Sequence, residues 1–295
     1  MKIHTIGLAA GCLLAFTSCV KEKLDPCPDR GNISVKIYAE KFQVSPPYSS
    51  ESFEPRMGDR FDRLDWYLYS NGSLYDQGTF GDIGSSSDSS ILFTKQQLPY
   101  GAYTLVLTGN LPPEQTSVGQ DGFFLTYPGS EQTGDYFTAV LPLTVDCNCT
   151  RSYTTVMQRV QGVIRFFFDN LPERASRVET TLDNLCHRAS VSGQYDSPAA
   201  ETCSFNAAQI RESPNSMVIG AFPTLAGGRT NWTVRLYEDG EQVPFLEKTA
   251  DEGFELQRNR LLELSVDFEG SNNADFTVTV DPDWNGVIDG GEAGI

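Results

Sequence analysis

The chain carries one stretch whose residue types and spacing could hold a metal. In "DPDWNGVIDGGE" the side chains of Asp281, Asp283, Asn285, Asp289 and Glu292 stand at positions 1, 3, 5, 9 and 12, with the Val287 carbonyl at 7 and Gly286 at 6. That is the spacing of a calcium loop held between two helices, where carboxylates and a backbone carbonyl wrap a hard cation. The flanks do not supply those helices. "DFTVTV" alternates as a strand, Pro282 suits a strand-to-turn exit, and only three residues follow Glu292. The stretch therefore reads as the polar turn and tail of a last strand. Calcium is then an accessory ligand, of the kind a strand-flanked loop could take where the metal is millimolar outside cells.

Other chemistry is sparse. Past the N-terminal segment the chain has a single His, His187, mid-strand beside Cys186 and without a neighbouring acid, which leaves no Ser-His-Asp or Cys-His arrangement. No nucleophile elbow, zinc-protease pair or Gly-rich phosphate loop occurs. Asp25 with Asp29, or Glu238 with Asp239, have the residue types of glycosidase carboxylates, but among 39 acidic residues such pairs arise by chance and sit in turns. An enzyme is not expected. Trp66, Tyr67, Tyr69 and Tyr75 could stack sugar rings, which makes glycan binding the alternative function. Strand alternation instead aims Trp66 and Leu68 at a core and Tyr67 and Tyr69 outward.

The formal charge of -17 repels phosphates and anionic headgroups, so nucleic acid is excluded as a partner and basic charge does not hold the chain to a membrane. The N-terminus offers another means. "MKIHTIGLAAGCLLAFTSC" has one Lys, an apolar run from Ile6 to Phe16, and small residues before Cys19. The run is about half the roughly 20 residues a spanning helix needs and reads as a secretory signal over residues 1–18. "FTSC" resembles a bacterial lipobox, with Phe16 where Leu is usual. In lipoproteins of that kind the signal is cut before the Cys, which is then acylated. Lipidation at Cys19 implies tethering by lipid alone, through a linker over residues 19–30 that spans up to roughly 40 Å when extended.

Export makes disulfides allowable. Without Cys12 and Cys19, five of the seven Cys remain: Cys27, Cys147, Cys149, Cys186 and Cys203. Cys186 and Cys203 flank a polar turn and could meet on adjacent antiparallel strands. Cys27 could reach Cys147 or Cys149 if the first strand lies beside the strand ending at Val145. Metal binding by Cys147 and Cys149 lacks a second ligand pair.

The elements that position these residues are strands. "NISVKIYAEKF" alternates through Ile33, Val35 and Ile37, and "RLDWYLYSNGSLYDQGTF" is a hairpin turned at Asn71–Gly72. "ILFTKQQLPYGAYTLVLTGNLP" gives a strand, a turn at Pro99–Gly101 and a second strand through Tyr103, Leu105 and Leu107, and the Gly-rich stretch from Pro113 to Asp135 reads as a surface loop. "MQRVQGVIRFFFDNLP" opens a second unit at Val160, Val163 and Ile164, and Asp239–Gly240 marks another tight turn. Strands at roughly ten-residue spacing predict an all-β protein of two β-sandwich domains in tandem, over 31–157 and 158–295.

Together Cys19, the Cys27–Pro28 linker, "GNISVKIYAEKF", "LPYGAYTLVLTGN", "MQRVQGVIRFFFDNLP", "NRLLELSVDFEG" and "DFTVTVDPDW" resemble the lipoprotein anchor subunits (FimB-type) of the fimbrillin superfamily, which make type V pili of the Bacteroidales. The resemblance spans the chain after its signal. It implies two transthyretin-like sandwiches, an outer-membrane location on the acylated Cys19, and attachment or termination of a fimbrial shaft subunit without catalysis. Stalk subunits of that superfamily lose an N-terminal strand to an Arg-specific protease and accept a neighbour's strand in its place. Anchors keep their lipid, so the resemblance implies that Arg30, expected just before the first strand, is left uncut. The last strand, with Phe276, Val278 and Val280 alternating, is the expected donor to a shaft subunit or, equally, the strand that completes the second sandwich.

Overall fold

The computed structural model describes residues 29–40, 56–111, 116–119, 122–126, 134–147, 150–213, 217–268 and 275–281. Along the first part of the chain run β1 (Arg30–Ala39), β2 (Leu64–Ser70), β3 (Ser73–Thr79), β4 (Ser90–Pro99), β5 (Gly101–Gly109), β6 (Thr116–Gly119), β7 (Gly122–Thr126), β8 (Phe137–Val145) and β9 (Thr150–Arg159). Next come β10 (Gly162–Asp169), β11 (Arg177–Ser190), β12 (Tyr195–Asn206), the short helix α1 (Ala207–Glu212), β13 (Val218–Ala221), β14 (Trp232–Tyr237), β15 (Leu246–Thr249), β16 (Leu261–Asp267) and β17 (Asp275–Asp281). The protein is all-β, with its strands packed as sandwiches.

In the first sandwich, β3-β2-β5-β8 and β4-β1-β9 face each other. They meet where β8 and β9 pair at Phe137 with Arg159 and Thr138 with Gln158. Period-2 patterning does the sorting: Ile33, Val35 and Ile37 of β1 are buried with Leu68, Leu105, Leu107 and Phe137, while their neighbours point away. The β2–β3 hairpin turns at Asn71 (φ 51°) and Gly72 (φ 75°), the left-handed pair that a two-residue turn requires. Arg30 is the first residue of β1, paired with Pro99, rather than a residue ahead of it. Its Nη1 donates to the Gln97 carbonyl at 3.2 Å.

The second sandwich sets β13-β10-β16-β17 against a sheet built on β11. One side of β11 pairs with β12 along most of its length, and the other side pairs first with β14 and then, at Arg188–Ser190, with β7. Trp232, Phe166, Leu182, Val234 and Leu264 are fully buried at its centre. The stretch expected as a surface loop thus contributes a two-strand ribbon, β6–β7, to the other sandwich. Strands this short, broken by Gly119 and Gly122, are too brief for period-2 patterning to stand out. β9 also runs past Met157 to Arg159, because Arg159 is paired there with Phe137.

Candidate functional site: the joint and the open strand edges

Strand directions give the molecule two ends and a middle. β1 starts at Arg30 beside Pro99, in the same end layer as Gly101, Val145 and Ser70. β9 runs parallel to β1 and finishes at Arg159, where the second sandwich begins. β10 and β16 run away from that point, so Asp169, Asp267 and Tyr237 mark the far end. β1 therefore begins at the end of the first sandwich opposite the joint.

The joint is built around Arg159. Its Nε donates to Asp135 Oδ1 at 2.5 Å and its Nη2 to Oδ2 at 2.7 Å, with both side chains nearly buried. Its Nη1 donates to Asn259 Oδ1 at 2.7 Å, and its carbonyl accepts from Arg258 Nη1 at 3.0 Å, so one residue binds both sandwiches. Arg258 also approaches Glu40 at 3.6 Å, and Tyr195 donates to the Val160 carbonyl at 2.6 Å. Asn110, in the left-handed region at φ 60°, places Asp135: its amide donates to the carbonyls of Arg60 (2.7 Å) and Asp135 (2.9 Å). Burial pushes the Asp135 carboxyl up from its ordinary value, with the Arg159 hydrogen bond opposing it. Burial, then the charge of Arg159, lowers the Arg60 guanidinium to about 10.

Apolar contact seals the same surface. Val106, Leu111 and Tyr136 pack with Val160, Cys186, Ala189 and Phe222 from across the joint, and Tyr67 and Tyr69 join them. The alternation expected for the aromatic hairpin holds, but the outward side of β2 is this interface rather than water. Trp66 packs instead on the first core, tilted on Phe93 at 5.2 Å between ring centroids. Sequence reasoning missed Arg159, Asp135 and Asn110 altogether. The available signal was slight: Arg159 ends a mostly polar strand two places after the buried Met157, and so shares its inward face.

Cys186 is a free, fully buried thiol, so the expected Cys186–Cys203 bridge is not formed. Its neighbour across the ladder is Pro198, whereas Cys203 lies opposite Thr180, further along β11 and inside the second core. Burial raises the Cys186 thiol to about 11. Cys147 is exposed at the end of β8, and Cys27 and Cys149 lie outside the described residues. His187 has an acid after all, on the neighbouring strand: its Nε2 is 3.7 Å from Glu201. Cys19, Asp283, Asn285, Val287, Asp289 and Glu292 lie outside the described residues, and Asp281 is the last residue of β17. Among the described residues no group of three or more His, Cys, Asp or Glu side chains is placed to hold a metal, and no helix is long and apolar enough to cross a membrane.

β17, with Phe276, Val278 and Val280, pairs with β16 from Asp275 opposite Asp267 to Asp281 opposite Leu261. The Phe276 ring stands edge-on to Trp232 at 5.0 Å. Trp232 in turn donates from Nε1 to Thr180 Oγ1, which satisfies its buried N–H.

No protein-family model matches the chain, and no curated protein is detectably similar to it in sequence. Solved structures do share its fold over nearly their whole length. A protein described as polysaccharide-binding from Bacteroides thetaiotaomicron superposes with a TM-score of 0.54 at 11% identity, covering 85% of this chain and 97% of its own. A candidate cell adhesion protein from Parabacteroides distasonis gives 0.52 at 14% identity, covering 86% and 97%. The fimbrial anchor protein Mfa2 from Porphyromonas gingivalis gives 0.50 at 12% identity, covering 88% and 99%. At such identities the likeness is one of fold.

Proposed function

We propose that the chain is a lipid-anchored, non-catalytic subunit that tethers or terminates a cell-surface fimbria at the outer membrane through strand-mediated contacts. The observation that carries this reading is the end-to-end sharing of a two-sandwich fold with a fimbrial anchor protein. The layout supports it: β1 begins at one end, downstream of the lipidation candidate Cys19, and the joint holds the far end away from that tether. Replacing Cys19 by Ser tests it. Loss of radiolabelled palmitate from the chain, with fimbriae shed into the medium, is the expected result; fimbriae retained on cells whose chain carries no lipid would count against it.

A second reading, surface glycan binding, has one observation in its favour: a protein described as polysaccharide-binding shares the fold. Tyr67 and Tyr69 are engaged in the joint, which leaves Tyr75 and Tyr100 as exposed rings. A glycan array probed with the purified chain separates the readings, binding favouring the second.

A further inference from the structure

An aromatic patch closes the end of the first sandwich where β1 begins. Tyr75, just past the Asn71–Gly72 turn, sets its ring edge-on to Tyr103 at 5.6 Å between centroids. The Tyr103 hydroxyl donates to the Pro99 carbonyl at 3.0 Å, so this ring is tied to the β4–β5 turn that carries Tyr100. Tyr100 in turn lies against the start of β1: a methyl added at Gly31 would stand 3.7 Å from its Cε1 and 2.8 Å from Val145 Cγ1. Leu74 (47% exposed), Tyr75 (48%) and Tyr100 (40%) are thus held toward water on packed neighbours. Apolar side chains exposed singly need no explanation, but three gathered at one end of a molecule do.

Charge sets this end apart as well. Arg30, Lys95 and Arg151 are matched there by Asp29, Asp76 and Asp146, with Lys95 paired to Asp76 at 2.6 Å and Arg151 paired to Asp146. Residues 29–159 hold nine basic and 15 acidic residues, whereas residues 160–295 hold ten and 22, so most of the acidic excess lies in the second part of the chain. At the far end of the second sandwich Asp169, Glu238, Asp239, Glu241 and Asp267 outnumber Arg174 and Arg177.

We propose that this end of the first sandwich rests on the lipid surface to which the chain is tethered, with Leu74, Tyr75 and Tyr100 at the level of the headgroups. This contact presupposes the reading of Cys19 as the lipidated residue, and adds a hold by the folded body to the tether. Tyr suits that depth, since its ring is apolar and its hydroxyl reaches water. Charge decides which end can approach. An anionic surface repels acid, and its field decays over about 8 Å at physiological ionic strength, so the charge of the touching end counts and the distant excess hardly does. The balanced end is the one that can touch. Position agrees: nine residues, 20–28, separate Cys19 from Asp29, a reach of at most about 36 Å. A linker this short holds the end at millimolar effective concentration to the surface, so a contact of millimolar affinity suffices.

The test holds the chain at the same point without its own lipid. Residues 1–19 are replaced by a hexahistidine tag, and the chain is bound to vesicles of phosphatidylcholine, phosphatidylglycerol and a nickel-chelating lipid, with and without headgroup spin-labelled lipid. A bimane fluorophore on the exposed Cys147, which follows β8 into the same end, reads contact; Cys27→Ser and Cys149→Ser remove competing thiols, and Cys186 and Cys203 are buried. Spin-labelled lipid should quench this probe by about twofold or more, and should leave a probe at Glu241→Cys, in a Cys147→Ser chain, unchanged. Tyr75→Ser with Tyr100→Ser should abolish the quenching while the chain stays bound. Tyr100→Ser alone, which leaves the Tyr75–Tyr103 packing intact, should weaken it. An unquenched Cys147 probe on bound chain would overturn the proposal, because the end then stands clear of the surface. So would quenching that survives the loss of both rings, because the tether alone then holds the end near. A glycan-array signal that those two substitutions remove, in an unquenched chain, would give the rings to sugar instead. Because a tag replaces the lipid, failure here leaves the Cys19 experiment free to succeed, and the reverse.

Discussion

Arg159 holds Asp135 by two parallel hydrogen bonds at the last position of β9, and the same guanidinium reaches Asn259 in the second sandwich. A planar fork bound on one side to a carboxylate and on the other to an amide fixes direction as well as distance. The pair therefore acts as the rivet that sets how one sandwich leaves the other.

Removing one partner leaves the other charge buried. Asp135→Asn should cost about 3–5 kcal/mol of unfolding free energy, read by urea titration. The double substitution Asp135→Leu with Arg159→Met should regain much of that loss, because it removes both buried charges together. If the single change is neutral, the joint is held by its apolar cluster and not by the pair.

Tyr67 and Tyr69 separate joint from sugar site. Tyr67→Ser with Tyr69→Ser removes two half-buried rings from the Val106–Phe222 cluster and should lower the unfolding free energy by about 2–4 kcal/mol. Any glycan signal on an array should be unchanged. Lost glycan binding with unaltered stability would mean that the hairpin, not the joint, is what those rings serve.

Much of the fold was legible because period-2 patterning is local. Ile33, Val35 and Ile37 alternate within five residues, and Asn71–Gly72 announces its own turn. The joint was not legible because its members are brought together only by topology: Asp135, Arg159 and Asn259 are far apart in sequence and each looks like a solvated polar residue. The alternation of Tyr67 with Leu68 was legible too, but which object the outward face meets depends on where β9 hands over to β10. The Cys186–Cys203 expectation failed on register, since two thiols flanking one turn can still lie at different heights on a ladder.

Cys186 supplies a check on the burial of the joint and a pH test. Its thiol, raised by burial to about 11, should resist alkylation at pH 8 in the native chain and react after unfolding, read by mass spectrometry. The sign for stability follows from the same shift. The folded chain holds this proton more tightly than the unfolded chain, whose thiol titrates near the ordinary value, so the contribution is complete below about 9 and is lost as pH rises through about 11. Cys186→Ala should remove that part of the alkaline slope.

Arg30 begins β1 and β1 is held on both sides, by β4 and β9. Cleavage after Arg30 by an Arg-specific protease should therefore separate the body from Cys19 without unseating the strand. The expected product starts at Gly31, by mass, and melts within about a degree of the uncut chain, because few contacts of β1 lie ahead of the cut. A large drop in melting temperature would show that residues before Gly31 help to hold the first sandwich.

Phe276 decides what leaving would cost β17. To be donated to a shaft subunit, this strand must give up its pairing with β16 and uncover Trp232, whose indole packs edge-on against the Phe276 ring at 5.0 Å. Phe276→Ala should shift the Trp232 emission to longer wavelength and cost about 2 kcal/mol, less than a fully buried Phe because this ring is only half covered. If β17 is the donor, deleting residues 275–295 abolishes shaft attachment in cells and makes the purified chain bind a hydrophobic dye at the uncovered β16 edge. If attachment survives the deletion while the dye still binds, β17 completes the second sandwich and the shaft is held elsewhere. Phe276→Ala should then weaken the fold without touching attachment.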